Sequence, residues 1–240
     1  MNKISIVTVT FNCCSSISTT IKSIIEQKYD NKEIIVIDGG STDGTISILQ
    51  KYKHQLDVFI SEKDKGIFDA MNKAIKKASG DWIIFINSGD YFIDFMVLSD
   101  FFSHSNYAEN VGVVFGDIVT SNGRMNMTPF FEVNSRYKGM GISHQAIFTR
   151  VHLAKRYMFS LDFKVAADYN MMHSIYNAGF KFIHKSRIVA FYAEGGFSAV
   201  NLLERYNEIA IICNAQYSFK YLVLKYRILI IKKIKKFLKL

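Results

Sequence analysis

Three acids stand where a chain could use them for chemistry. Asp38 follows the β-branched stretch Glu33-Ile-Ile-Val-Ile37 and opens the run Asp38-Gly-Gly-Ser-Thr-Asp-Gly44. A carboxylate at a strand end can accept from a ribose hydroxyl or a base N–H, and adjacent glycines let a ligand approach the backbone. A tight turn with Ser or Thr capping the next helix uses the same residues. Asp90 closes Asn87-Ser-Gly-Asp90 after the apolar run Trp82–Ile86. A single carboxylate there suits a divalent cation that neutralises a diphosphate, and equally a plain β-turn. Asp168 sits at the head of a predicted helix, Ala166–Asn177, either as a general base or as a first-turn acid favoured by the helix dipole. His144 opens a predicted strand, His144–Thr149, and is a candidate to face the same site.

The elements that must position these residues can be read from apolar spacing. Ile4–Phe11, Glu33–Asp38, Asp57–Ser61 and Asp81–Asn87 read as strands. Between them Ile17, Ile21, Ile24 and Ile25, then Thr45–Lys51, then Ile67–Ala78 follow helical spacing. Strand alternating with helix implies right-handed crossovers and a parallel sheet, whose ligands sit beyond the carboxyl ends of the strands. Asn12, Asp38, Ser61-Glu62 and Asn87–Asp90 all fall at such ends. The second half is less regular: Val111–Val119, Phe180–His184 and Ile188–Tyr192 read as strands, with a helix starting near Asn201.

Composition narrows the class. The 240 residues are 49% hydrophobic and 21% charged, with a single proline, so disordered, collagen-like and proline-rich classes are excluded. Cys13, Cys14 and Cys213 form neither a disulfide framework nor a zinc cluster. No signal peptide and no spanning apolar window is legible, so a reduced, cytoplasmic protein is expected. No glycine-rich P-loop and no G-x-G-x-x-G fingerprint occurs.

The net charge of +9 is unevenly placed. Eight basic residues and no acid lie between Phe219 and Leu240, which leaves +1 on the remainder. A whole-body nucleic-acid footprint is therefore not expected. As a helix, the tail places Ile230, Ile234, Phe237 and Leu238 on one side and Lys232, Lys235, Lys236 and Lys239 on the other. That pattern suits an anionic membrane surface, or packing on the domain or on a second copy in a homodimer.

In order, these pieces resemble the family 2 glycosyltransferases of the GT-A fold, and among them the bacterial enzymes of exopolysaccharide, capsule and lipopolysaccharide assembly. The resemblance is carried by Ile4-Ser-Ile-Val-Thr-Val-Thr-Phe-Asn12 and by Glu33-Ile-Ile-Val-Ile-Asp-Gly-Gly-Ser-Thr-Asp-Gly-Thr45. Ser61-Glu-Lys-Asp-Lys-Gly-Ile-Phe-Asp-Ala-Met-Asn72, Phe85-Ile-Asn-Ser-Gly-Asp90 and Ala167-Asp-Tyr-Asn170 complete it. It implies an α/β fold with a mainly parallel Rossmann-like sheet flanked by helices over residues 1–200, beyond which the charge and apolar spacing of the sequence suggest a basic helical extension over 201–240.

It also implies inverting transfer of a sugar from a nucleotide-sugar, a UDP-sugar by base rate, to a glycan or lipid-linked acceptor at the inner face of the membrane. By the same resemblance Thr8, Asn12, Asp38, Asp64 and Asn72 line or border the nucleotide pocket. Asp90 matches the last acid of the metal-binding D-x-D element, and Asp168 matches the catalytic base. Mn²⁺ or Mg²⁺ is the implied cofactor, although Asn87 replaces the first acid of that element. Met71 stands where many relatives carry an arginine, which leaves Lys65 as a substitute for the phosphate contact. The competing readings are a nucleotidyltransferase, which should show a basic glycine-rich loop where Asn12-Cys-Cys-Ser-Ser16 stands, and a silent nucleotide-sugar-binding module.

Overall fold

The computed structural model describes residues 1–125, 127, 141, 143–193 and 201–214, together with the single positions 222, 223, 226 and 230. Its first half follows the alternation of the sequence. Strands β1 (Ile4–Thr10), β2 (Lys32–Asp38), β3 (Val58–Ser61) and β4 (Trp82–Phe85) are joined through α1 (Ile17–Ile25), α2 (Thr45–Gln50) and α3 (Ile67–Lys77). All three pairings, β1 with β2, β1 with β4 and β2 with β3, are parallel. β1 is buried at every position and β2 at all but its first, which explains their unbroken β-branched runs. Ile17, Ile21 and Ile24 of α1 and Ala70, Ala74 and Ile75 of α3 are buried in the same core.

The second half departs from a parallel plan. After β5 (Tyr91–Phe92) and α4 (Val97–Phe102) come β6 (Val111–Thr120), the short β7 (Gly123–Met125) and β8 (Ile147–Arg150), then α5 (Val151–Tyr157), α6 (Ala167–Asn177), β9 (Lys181–Phe191) and α7 (Leu202–Ile212). β8 runs antiparallel to both β4 and β6, and β5 antiparallel to β9, while β6 and β9 are parallel. The sheet is therefore mixed, in the order β3-β2-β1-β4-β8-β6-β9-β5 with β7 beside β6.

Two expectations change in detail. His144 opens a 3₁₀ turn, His144–Ala146, and the strand begins only at Ile147. The two short strands expected around 180–192 are one strand, β9, with register shifts against β6 beside Asp117. At the irregularity in its polar middle, Lys185 reaches the Asp100 carbonyl and Ser105, while Arg187 binds Asp94 and Asp100. The helix expected to start near Asn201 is α7, which packs on α6 and buries Ile209 and Ala210.

A buried acid ties the first two strands to the turn before β4. Glu33 accepts from Ser5 Oγ at 2.5 Å, from the Ser79 N–H at 2.6 Å and hydroxyl at 2.5 Å, and from Lys3 Nζ at 2.8 Å. Gly80 sits so close that a β-carbon there would meet Ser5 Oγ at 2.6 Å and the Lys3 carbonyl at 2.7 Å. Burial pushes the Glu33 carboxyl up, but the hydrogen bonds from Lys3, Ser5 and Ser79 outweigh it and bring it down from 4.5 to about 2. A depressed carboxyl contributes stability above its unfolded value and loses it as pH falls toward the folded one. Glu33→Gln should therefore cost about 2 kcal/mol at neutral pH. In urea titrations the gap between wild type and variant should close as pH falls from 4.5 to about 2. An equal gap at pH 7 and pH 2 would remove Glu33 from this role.

Candidate active site

The four parallel strands deliver their following loops to one edge of the sheet. There Asp38 is fully buried, and its carboxylate is engaged on both oxygens. Oδ2 accepts from the N–H groups of Gly40 (3.0 Å) and Ser41 (2.9 Å) and from Ser61 Oγ (2.7 Å), while Oδ1 accepts from Ser41 Oγ at 2.5 Å. Four donors use its accepting capacity, so Asp38 builds the loop rather than offering a free carboxylate. Asn12 has φ of 50°, a left-handed conformation that asparagine tolerates. Its amide oxygen accepts from the Thr42 N–H at 2.9 Å and its own N–H donates to Ser41 Oγ at 2.8 Å. The loops after β1 and β2 are thereby stitched together. Asp43 adds a stitch by accepting from the Cys14 N–H at 2.9 Å, and hydrogen bonds from Thr45 and Cys14 hold its carboxyl well below the usual range.

Beside this loop lies a feature that the motifs did not single out. Phe11 is 61% exposed at the end of β1. A β-carbon on Gly39 would meet Asp64 Oδ2 at 3.1 Å and Phe11 Cδ2 at 3.3 Å, so Phe11, Gly39 and Asp64 converge. Asp64 is held by Lys73, which also pairs with Glu62 at 2.8 Å. Burial lowers the Lys73 ammonium, but Asp64 and Glu62 outweigh it and hold the group above its usual range. An exposed aromatic face at a strand end was the available signal, since such residues normally turn inward.

Two expected pocket residues have other work. Thr8 has no exposure and donates to the Ile86 carbonyl at 2.9 Å, which places it behind the pocket wall, bridging β1 to the end of β4. Asn72 is buried and clamps the backbone of Phe159 from both sides, donating to its carbonyl at 2.8 Å and accepting from its N–H at 2.9 Å. Met71 is buried on the same helix, and Lys65 is exposed.

The remaining acids meet across the 3₁₀ turn. Gln145 Nε2 donates to Asp90 Oδ2 at 2.8 Å, and the Ala193 N–H donates to Asp90 Oδ1 at 3.0 Å. Burial pushes the Asp90 carboxyl up, partly offset by His144, Gln145 and the Ala193 N–H. The neighbouring residue, His144, bonds Asn87 Nδ2 through Nε2 at 3.1 Å and turns Nδ1 to within 3.8 Å of Asp168 Oδ2. Asp168 Oδ1 accepts from the Tyr169 N–H at 2.7 Å. Ser143, His144, Gln145, Asp168, Tyr169 and Arg205 line a cavity of about 220 Å³. Gln145 and Arg205 escaped sequence reading because neither belongs to a local motif.

Among the described residues no group of three His, Cys, Asp or Glu side chains converges to hold a metal. The oxygens at the Asn87–Asp90 turn nonetheless suit a hard cation. Asn87 Oδ1 and Ser88 Oγ are buried without a hydrogen-bond partner, three and two residues before Asp90 in the same turn. Mg²⁺ and Mn²⁺ favour oxygen ligands, keep water, and take further oxygens from a substrate diphosphate. The residues present fit such an ion as a partial shell that a phosphorylated ligand completes.

Residues 5–162 match the sequence profile of glycosyl transferase family 2, and the chain belongs to that family. A PGL/p-HBAD biosynthesis glycosyltransferase of Mycobacterium tuberculosis is 27% identical over 170 residues, covering 69% of this chain and 66% of the relative. The E. coli UDP-Glc:alpha-D-GlcNAc-diphosphoundecaprenol beta-1,3-glucosyltransferase WfaP is 33% identical over 136 residues, covering 52% and 54%. The chain thus spans about two thirds or less of the length of these curated relatives. Two solved structures share the GT-A fold. S. aureus TarS 1–349 in complex with UDP-GlcNAc has a TM-score of 0.70 at 22% identity, covering 88% of this chain and 66% of that one. The Pyrobaculum calidifontis mannosyltransferase PcManGT in complex with GDP-Man and Mn²⁺ has a TM-score of 0.67 at 20% identity, covering 88% and 64%.

The saturation of Asp38 has a measurable consequence. Asp38→Asn replaces an acceptor of four hydrogen bonds with a group that must bring two donors of its own into a buried site. A stability loss of about 2–4 kcal/mol is expected in chemical denaturation. Unchanged stability would show that Asp38 faces a ligand and not its own loop.

Proposed function

We propose that this chain transfers a sugar, with inversion, from a nucleoside-diphosphate sugar to a hydroxyl of a glycan or lipid-linked acceptor. The observation that carries this reading is the pair of adjacent residues His144 and Gln145, which contact Asp168 and Asp90 respectively. One short turn thereby couples an acid suited to proton removal with an acid suited to the diphosphate end of a donor. TarS bound to UDP-GlcNAc and the UDP-glucose specificity in the name of WfaP support a UDP-sugar as donor.

In this reading Phe11 offers its exposed ring to the base, with Gly39 leaving room beside it and Asn12, Asp38 and Asp64 shaping the pocket. The acceptor hydroxyl attacks the anomeric carbon from the face opposite the diphosphate. Its C–O bond forms as the anomeric bond to the diphosphate breaks, with that electron pair leaving on the phosphate oxygen. Asp168 takes the proton of the hydroxyl, and His144 stands beside the carboxylate that receives it. Asp90, with the oxygens of Asn87 and Ser88, would hold Mn²⁺ or Mg²⁺, which when bound stabilises charge on the leaving diphosphate.

The basic tail supports placement on a membrane. Leu222, Val223, Tyr226 and Ile230 are helical and exposed, and Val223, Tyr226 and Ile230 are each more than half so. The remaining tail positions, including Ile234, Phe237, Leu238 and the lysines from Lys232 onward, lie outside the described residues. No helix among the described residues is long and apolar enough to cross a membrane. A peripheral contact with anionic lipid at the cytoplasmic face draws about 1 kcal/mol from each basic residue near the surface.

Three experiments test this function. Asp168→Asn should keep the fold and donor binding while turnover falls by roughly 10²–10⁴. In the accompanying calorimetry, Asp90→Asn should lose the part of UDP affinity that depends on Mn²⁺. Wild-type turnover in the Asp168 variant sinks the mechanism. Truncation after Tyr217 should leave a donor-binding chain that no longer sediments with anionic vesicles at low salt. Full-length protein that ignores such vesicles, or that dimerises through the tail, replaces the membrane reading with packing.

A further inference from the structure

Helix α7 lies beyond the residues that match the family profile, yet it forms part of the wall beside Asp168. Its placement is firm. Glu208 is buried, and its carboxylate accepts from the N–H groups of Lys164 (2.8 Å), Val165 (2.9 Å) and Ala166 (2.7 Å). Those three residues run straight into α6, whose second residue is Asp168. Arg205 and Ile209, on the same side of α7 as Glu208 by helical spacing, both line the cavity that Asp168 lines.

Arg205 is half-buried, and among the described residues its guanidinium has neither an ion pair nor a hydrogen bond. The acids of its own helix are engaged elsewhere: Glu208 with the three backbone N–H groups, and Glu204 with Lys164 at 3.8 Å. The rest of the wall is largely apolar, including Ile118, Val165, Ile209 and Tyr192. A planar five-donor cation left uncommitted in such a cavity is suited to a bidentate anion with an apolar neighbour.

We propose that this cavity is the acceptor site and that Arg205 is its specificity-determining residue, selecting acceptors with a phosphate or carboxylate attached to an apolar group. The proposal rests on the reading of Asp168 as base, because that places the accepting hydroxyl in the same cavity. Arg205 then holds the anion while the hydroxyl reaches Asp168, and Glu208 keeps α7 and the head of α6 in register. A neutral acceptor of the same shape gains only the apolar wall.

The test uses the full chain, with and without saturating UDP, titrated with hexyl phosphate, hexanoate and neutral hexyl glucoside. Ligand-observed NMR reads the affinities. Arg205→Gln should weaken hexyl phosphate, hexanoate or both by about tenfold, the scale of a lost charge-assisted contact. It should leave hexyl glucoside, UDP affinity and the melting temperature unchanged. Arg205→Lys, which keeps the charge and loses the fork, should fall between. The anion that responds more strongly identifies the acceptor's charged group. Anion affinities equal in wild type and Arg205→Gln, or no anion binding to wild type, would overturn the proposal. Loss of UDP affinity in the variant would overturn it too, by moving Arg205 to the donor. Failure of the wild type to bind UDP strikes the glycosyl-transfer reading instead, and the anion titrations without UDP still judge Arg205.

Discussion

Strand direction is the constraint on which the site depends. β4 runs parallel to β1, so the turn Asn87–Asp90 lies at the same edge as the loops after β1, β2 and β3. β8 then pairs with β4 in the opposite direction, with Trp82 opposite Arg150 and Ile83 opposite Thr149. The start of β8 therefore lies against the end of β4, and the residues just before it, His144 and Gln145, reach Asn87 and Asp90. Had β8 been parallel, as the first half of the chain suggests, that turn would lie at the far edge of the sheet. β9 repeats the logic. It runs parallel to β6 and finishes at the same end, so the Ala193 N–H meets the Asp90 carboxylate from the other side.

Carboxylates divide here into those that build and those that remain available. Asp38, Glu33 and Glu208 are buried and each accepts three or more hydrogen bonds, which is the condition for keeping an acid away from water. Each fixes a loop or turn that has no regular partner of its own. Asp90 carries one hydrogen bond on each oxygen, and Asp168 carries one from its own helix and stands 3.8 Å from His144. Lone pairs left over after those bonds mark the groups that can still take a proton or a cation, and those of Asp168 lie at a cavity.

Asp168 and the walls of its cavity come from different parts of the chain. Asp168 and α7 lie beyond residues 5–162, the part matched by the family profile, and are tied together by Glu208. The cavity beside Asp168 is thus walled partly by the family-matched residues, through Ser143, His144 and Gln145, and partly by a helix beyond them, through Arg205 and Ile209.

Local pattern was enough to place Asp38 and Asp90 after strands and Asp168 at the head of a helix, because each stands at the junction of a strand or loop with a strongly periodic segment, but it left a structural and a chemical use open for each. The βαβ alternation of the first ninety residues likewise determined the parallel half of the sheet, since short crossovers leave one handedness. What those acids do was not local. Thr8 and Asn72 share the motif positions of pocket residues, but burial turns one toward the Ile86 carbonyl and the other toward the Phe159 backbone. Gln145, Glu208 and Arg205 stand 55, 42 and 37 residues from Asp90, Ala166 and Asp168 in the chain, and no spacing rule connects them. The sequence alone determined which side chains were present and which strands could be parallel. Only the tertiary structure decided which acids were consumed by backbone N–H groups and which kept unused lone pairs, because that depends on antiparallel pairing and helix packing between residues far apart in the chain.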